Sequence, residues 1–254
     1  MNPDQTMKPM ADSKAAAHER YHAAMVEVKC RLRAANRVLG AKKPRTLTDG
    51  TDNEFLWLQV RKVVELVAFA GISSDEARYA ALRAEAKDNP DYTRDWKVGD
   101  ILKRLAKITP HFLPIAIGNV QVVSEGRWHF DAGQEKQTLE RFVEIYERAG
   151  EHLHVPNPFG EASLARHQEL LATSRVQLVD DVEYLTNVLW THAKVGLEFD
   201  PQTSEPREAA NPISAWLVRL GKPDNDDVNV LLAEGVDHRE QTPGASTEEP
   251  ANDA

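Results

Sequence analysis

Thr51-Asp52-Asn53-Glu54-Phe55-Leu56-Trp57-Leu58-Gln59-Val60-Arg61-Lys62-Val63-Val64-Glu65-Leu66-Val67-Ala68-Phe69-Ala70-Gly71 is the most apolar stretch of the chain and the best punctuated. Thr51 and Glu54 have the spacing of a capping box, in which a hydroxyl accepts from the backbone N–H three residues on and the carboxylate reaches back. Gly71 predicts a left-handed stop. Phe55, Leu56, Val60, Val63, Val64, Leu66, Val67 and Ala70 cover more than half of a helical wheel, so a helix here is a core helix or a membrane span. Arg61, Lys62 and Glu65 near its middle argue against the bilayer. The prediction is a buried central helix over 52–71. Its polar stripe is Glu54, Arg61 and Glu65, with Arg61 and Glu65 spaced to pair. Gln59 falls inside the apolar arc. It predicts a buried amide bonded to a neighbouring helix, or an amide lining a pocket.

Upstream, Asp12 or Ser13 can cap a helix running to Leu39, with Gly40 as its stop. Tyr21, Met25, Val28, Leu32, Ala35 and Leu39 alternate steps of four and three, which gives one narrow apolar seam. Downstream, Ser73 or Ser74 starts a short helix to Ala86, and another runs from Thr93 to Ile108 with Trp96, Ile101, Leu102 and Leu105 inward. The period then changes. Pro114–Ile117 and Val120–Val123 flank Gly118-Asn119, which reads as a hairpin turn, and 127–130 reads as a third strand. A helix from Gln134 to Ala149 stops at Gly150. A long one runs from Glu161 to Leu189, and short strands follow near 194–199, 215–220 and 228–232.

The expected fold is therefore mainly α (α+β): a multi-helix bundle around a buried central helix, with a small antiparallel β component toward the C-terminus. Residues 1–12 and 235–254 are polar and low in apolar content, so both are expected to be disordered, the second as an acidic tail. That leaves one domain over 13–234. Hydrophobic residues make up 41% and charged residues 28%, ordinary values for a soluble globular chain. The formal charge of −9 disfavours a general nucleic-acid binder, although charge distribution matters more than the sum. The lone Cys30 excludes an intramolecular disulfide and a Cys-rich metal site. No signal-peptide core or membrane-length apolar run is visible, so the expected location is cytoplasmic and no membrane partner is expected.

Three groups of residues carry possible chemistry. Lys29, Arg31, Arg33, Arg37, Lys42, Lys43 and Arg45 form a run of positive charge, and no acidic residue lies between Glu27 and Asp49. The run reads either as a solvated helix face complementing the C-terminal dipole or as an RNA- or phosphate-binding patch. His18-Glu19-Arg20-Tyr21-His22 spells HExxH, the spacing by which two histidines one turn apart hold zinc and the Glu activates water. The alternative is a surface helix with incidental histidines, and no metal site is expected. Nothing resembles a dinucleotide, Walker, nucleophile-elbow or CxxC motif, and no cofactor is expected. Asp180-Asp181 reads as a solvated pair. His192 reads as a partly buried histidine at a helix end.

The third group is Arg148-Ala149-Gly150-Glu151-His152-Leu153-His154. An Arg at a helix end followed by a His resembles the signature of the HEPN family of helical nucleotide-binding and ribonuclease domains. The resemblance implies metal-independent RNA cleavage, commonly across a dimer. Arg148 would clamp the phosphate and His154 would serve as the acid–base group, chemistry suited to attack by a ribose 2′-OH. The other reading pairs Arg148 with Glu144 four residues earlier. The 54–70 helix together with the Gly150…His154…Asn157-Pro158-Phe159 turn also resembles a type of uncharacterised bacterial cytoplasmic protein, which implies no activity. The expected function is binding of a protein partner or self-association. The alternatives are an RNA-binding protein or ribonuclease of the HEPN kind and, third, a zinc hydrolase.

Overall fold

A computed structural model describes residues 4–86, 90–124, 127–155, 157, 159, 161–196 and 213–235. The fold is α+β and mainly helical. The helices are α1 (Asp4–Leu39), α2 (Asp49–Ser74), α3 (Glu76–Ala84), α4 (Val98–Ile108), α5 (Leu139–Leu153) and α6 (Glu161–Leu189), with a 3₁₀ turn at Tyr92–Arg94. The strands are β1 (Ile115–Ser124), β2 (Arg127–Ala132), β3 (Thr191–Gly196), β4 (Ile213–Arg219) and β5 (Asn229–Gly235). They form one antiparallel sheet in the order β2-β1-β3-β4-β5.

The central helix is where the apolar pattern put it. In α2, Leu56, Trp57, Val60, Val63, Val64, Val67, Ala68 and Ala70 are buried, and α1, α4, α5 and α6 pack around them. The α1 seam is also as read, with Tyr21, Met25, Val28, Leu32 and Ala35 buried, and Val38 taking the last place in preference to Leu39. One face of the sheet closes the other side of α1: His192, Val218 and Val230 are aligned across β3, β4 and β5, and all three are buried.

The element boundaries differ, for physical reasons. α1 starts at Asp4, earlier than the expected Asp12 or Ser13. The cap of α2 is Thr48, which accepts from the Thr51 N–H at 3.1 Å while the Thr51 hydroxyl accepts from the Thr48 N–H at 3.2 Å. A Thr–Thr pair one turn upstream thus does the work assigned to Thr51 and Glu54. Gly71 and Gly150 do not stop their helices, which run on to Ser74 and Leu153. Each permits a close approach instead. A Cβ on Gly71 would lie 2.9 Å from Leu105 Cδ1 of α4, and one on Gly150 would lie 3.0 Å from Arg61 Nη1 of α2. Gly118-Asn119 is not a turn either. Both residues lie inside β1, where the register slips between Ile117 and Val120, and the chain reverses after Ser124. A glycine within a strand marks such a bulge. Trp96, expected inward, is 68% exposed, because α4 begins only at Val98. The tail after Gly235 lies outside the described residues.

Candidate ligand-binding cleft

The HExxH histidines, Lys29 and Arg33 belong to one polar stripe of α1, and the stripe runs along the start of β5 and the turn before it. His18 Nε2 donates to the Val230 carbonyl at 3.0 Å, and His22 Nε2 to the Val228 carbonyl at 3.1 Å. Two turns further on, buried Lys29 donates to the Asp227 carbonyl at 2.8 Å and to Asn225 Oδ1 at 3.0 Å. Arg33 donates to the Asn225 carbonyl at 2.9 Å and pairs with Asp226. The outward carbonyls of an edge strand need donors or water, and a covering helix that supplies donors also protects the edge. Because a carbonyl only accepts, both histidines carry their proton on Nε2, the nitrogen each would otherwise offer to a metal. No group of three or more potential metal ligands is assembled among the described residues. Arg31 turns the other way, donating to Gln59 Oε1 at 2.9 Å and pairing with Glu27. Gln59 is thereby the buried, satisfied amide that its place in the apolar arc predicts.

Arg148 and His154 sit in different surroundings. Arg148 Nη1 reaches both carboxylate oxygens of Asp181 on α6, at 2.9 and 2.8 Å, and its other terminal nitrogen pairs with Glu144. Arg141 Nη2 adds a third contact to Asp181 at 2.9 Å. Asp181 is wholly buried while Asp180 is exposed, so the expected solvated pair is split. Burial pushes the Asp181 carboxyl above its ordinary value, and the two guanidinium charges limit the rise. His154 is the exposed C-cap of α5. The histidine that the core takes up is His152. Its ring stacks on Trp57 of α2, with centroids 4.3 Å apart and planes 7° from parallel. Burial lowers its pKa, and Nε2 lies 3.4 Å from Gln177 Oε1. The Arg61 stripe of α2 meets this same region: Arg61 pairs with Glu65 at 3.2 Å, donates to the Tyr146 hydroxyl at 2.6 Å and covers its ring. These contacts weld α2, α5 and α6 together.

His192 is not at a helix end but fully buried in β3. Its Nδ1 donates to the Leu189 carbonyl at 2.8 Å, so Nε2 of the neutral ring accepts from the Tyr21 hydroxyl at 2.9 Å. Burial lowers the imidazole pKa to about 4 and raises that of the Tyr21 phenol. Two residues on, Lys194 is buried against Asp75 at 3.6 Å and donates to the His111 carbonyl at 3.0 Å. Burial lowers its pKa as well. These buried polar groups are bonded within the protein.

A cleft of about 920 Å³ opens to solvent between α1, the end of α6 and the sheet. One wall is the α1 face carrying Cys30, Arg33, Asn36 and Arg37. The other is Thr186 and Asn187 of α6, with Trp190, Thr191 and Ile117 at the back. Trp190 is held in place by its indole N–H, which donates to the Gly221 carbonyl at 3.0 Å. Gly221 has φ +71°, a conformation that L side chains rarely adopt. Beyond Arg37 the chain enters the 41–48 loop. Here the Asp52 carboxylate accepts from the backbone N–H groups of Arg45 (2.9 Å) and Thr46 (2.7 Å), and these bonds lower its pKa. The ordered loop presents Lys42, Lys43 and Arg45, all exposed. Among the described residues, no carboxylate pairs with Arg37, Lys42, Lys43 or Arg45.

Comparison with protein-family models, with curated proteins and with solved structures returns no match. Any functional reading of this chain therefore rests on its own geometry. Sequence reasoning missed the Asp181 cluster, the His152 stack and the cleft. The first had a signal: Asp181 falls between Leu178, Val182 and Leu185 on the buried side of α6, an acid where the period calls for an apolar residue. The cleft had none, because its walls come from segments far apart in the chain.

Proposed function

We propose that this protein acts by binding a phosphate-bearing partner in the α1/α6 cleft, with single-stranded RNA as the partner class. The observation that carries this reading is a set of exposed cations, Arg37 on the cleft wall and Lys42, Lys43 and Arg45 in the loop that follows α1, which have no carboxylate partner among the described residues. Four exposed cations without carboxylate partners among the described residues, one of them on the wall of a concave site, favour a ligand with several phosphates over a single small anion. Trp190 and the Asn36 and Asn187 amides supply what a base needs, an aromatic surface and hydrogen-bonding edges. The overall negative charge fits an oriented approach, since a basic track on an acidic body directs a polyanion to one face.

Cleavage chemistry is not part of this proposal. A phosphate clamp at Arg148 would have to displace both Asp181 and Glu144. The test is titration of the full chain with a fluorescent single-stranded oligoribonucleotide at two salt concentrations. Binding that weakens as salt rises, and that Arg37→Glu with Lys43→Glu reduces at least tenfold, supports the reading. Binding indifferent to salt and to both substitutions, or no binding at all, ends it.

A further inference from the structure

A second pocket, of about 330 Å³, lies where α1, the last turns of α2, the start of α3 and the Tyr92–Arg94 turn meet. It shares no lining residue with the α1/α6 cleft. Its volume is at the small end of the range for ligand sites, roughly 300–1,000 Å³. Ala24 of α1 and Phe69, Ala70 and Ile72 of α2 supply an apolar wall. The polar wall carries two carboxylates, and the fold treats them differently. Asp95 is 7% exposed, and its Oδ2 is already engaged by Tyr79, Arg83 and Arg104. Glu76 is partly exposed. α2 ends at Ser74 and α3 begins at Glu76, and this break sets Glu76 across from α1, where Arg20 pairs with it. Glu76 accepts from the Tyr92 hydroxyl at 2.7 Å through Oε1 and from Arg20 through Oε2. Each carboxylate oxygen can accept once more. Arg20 bonds through Nη2 only among the described residues, so the pair keeps both donors and acceptors for a ligand.

We propose that this pocket binds a free apolar α-amino acid, with its side chain against Phe69 and Ile72, its carboxylate on Arg20 and its ammonium on Glu76. The walls select this class of ligand. An α-amino acid carries two opposite charges on one carbon, and Arg20 and Glu76 offer the complementary charges side by side. Their ion pair need not break, because the ligand takes the donors and lone pairs that the pair leaves unused. A lone anion would meet the Glu76 charge and a lone cation that of Arg20, so neither is favoured. A polar side chain set against Phe69 and Ile72 would lose water without replacing it. The assignment does not depend on the ligand of the cleft.

Calorimetric titration of the full chain with L-leucine and with L-phenylalanine tests it. Saturable binding of at least one is expected. The amide and the deamino acid of the tighter binder each lack one of the two charges, and both are expected to bind at least tenfold more weakly than the parent. Arg20→Gln should no longer distinguish the parent from its amide, and Glu76→Gln should no longer distinguish it from the deamino acid. An exposed ion pair adds little to stability, and circular dichroism matching the wild type separates lost binding from lost fold. Arg37→Glu with Lys43→Glu should bind the amino acid as the wild type does, which keeps this result separate from that of the cleft. Failure of both amino acids to bind, analogues that bind as tightly as the parent, Arg20 and Glu76 variants that keep the full discrimination, or loss of binding in the Arg37 and Lys43 variant overturns the proposal.

Discussion

Two sets of positive charges lie within one short segment and lead opposite lives. Lys29, Arg31 and Arg33 are committed inside the fold, to Asp227, Asn225, Gln59, Glu27 and Asp226. Arg37, Lys42, Lys43 and Arg45 have no carboxylate partner among the described residues. The sequence shows one uninterrupted basic run. The division comes where α1 passes the end of the β4–β5 connection: up to that point the helix has a partner to bond, and beyond it the side chains meet solvent. Arg148 belongs with the committed group. Charge density is thus a poor guide to ligand binding until the carboxylates and carbonyls brought by the fold have been subtracted.

The contrast can be attacked from the committed side first, where the largest effects are expected. Asp181→Ala leaves Arg141 and Arg148 without their buried counter-charge and should lower stability by about 3 kcal/mol, read as a drop in the urea midpoint. A drop below about 0.5 kcal/mol would remove the cluster as a structural weld. A pH titration probes another committed group. The His192 imidazole has a pKa of about 4 in the fold, against an ordinary value of 6.5, so the unfolded chain takes up its proton first as pH falls. Stability is therefore fully present above pH 6.5 and is lost between 6.5 and about 4. The loss is at most roughly 3 kcal/mol from this group. Urea midpoints at several pH values should show the slope, and His192→Gln should flatten it.

Smaller effects follow. Lys29→Met keeps the buried volume but leaves the Asp227 carbonyl without its Lys29 donor and Asn225 Oδ1 with only the Asp227 N–H, an expected cost of about 2 kcal/mol. His22→Ala frees one edge carbonyl and should cost about 1 kcal/mol in metal-free buffer with chelator present; a cost that appears only when zinc is supplied would restore the HExxH reading. On the free side, Arg37→Glu and Lys43→Glu should change stability by less than about 0.5 kcal/mol, while weakening oligoribonucleotide binding. Equal losses of stability on both sides would erase the distinction.

The structure divides what was legible from what was not. The α2 core and the α1 seam were read correctly because helical periodicity is written in consecutive residues. Gly71 and Gly150 were misread because a glycine after an apolar run signals a stop and a close approach equally well, and only Leu105 and Arg61 decide between them. Gly118-Asn119 failed in the same way, since a hairpin turn and a bulge share residue preferences. The helix spacing of His18 and His22 was visible, but their partners were not: the carbonyls they bond belong to a strand at the far end of the chain.

The sequence alone determined which helices form, which of their faces are buried and which residue types can bear charge. Those are local properties, set by period and composition. The tertiary structure alone decided which charges are spent and which remain free, and that a cleft exists beside the free ones. A polar side chain takes whichever donor or acceptor the fold places within about 3 Å of it, and no local pattern encodes that meeting.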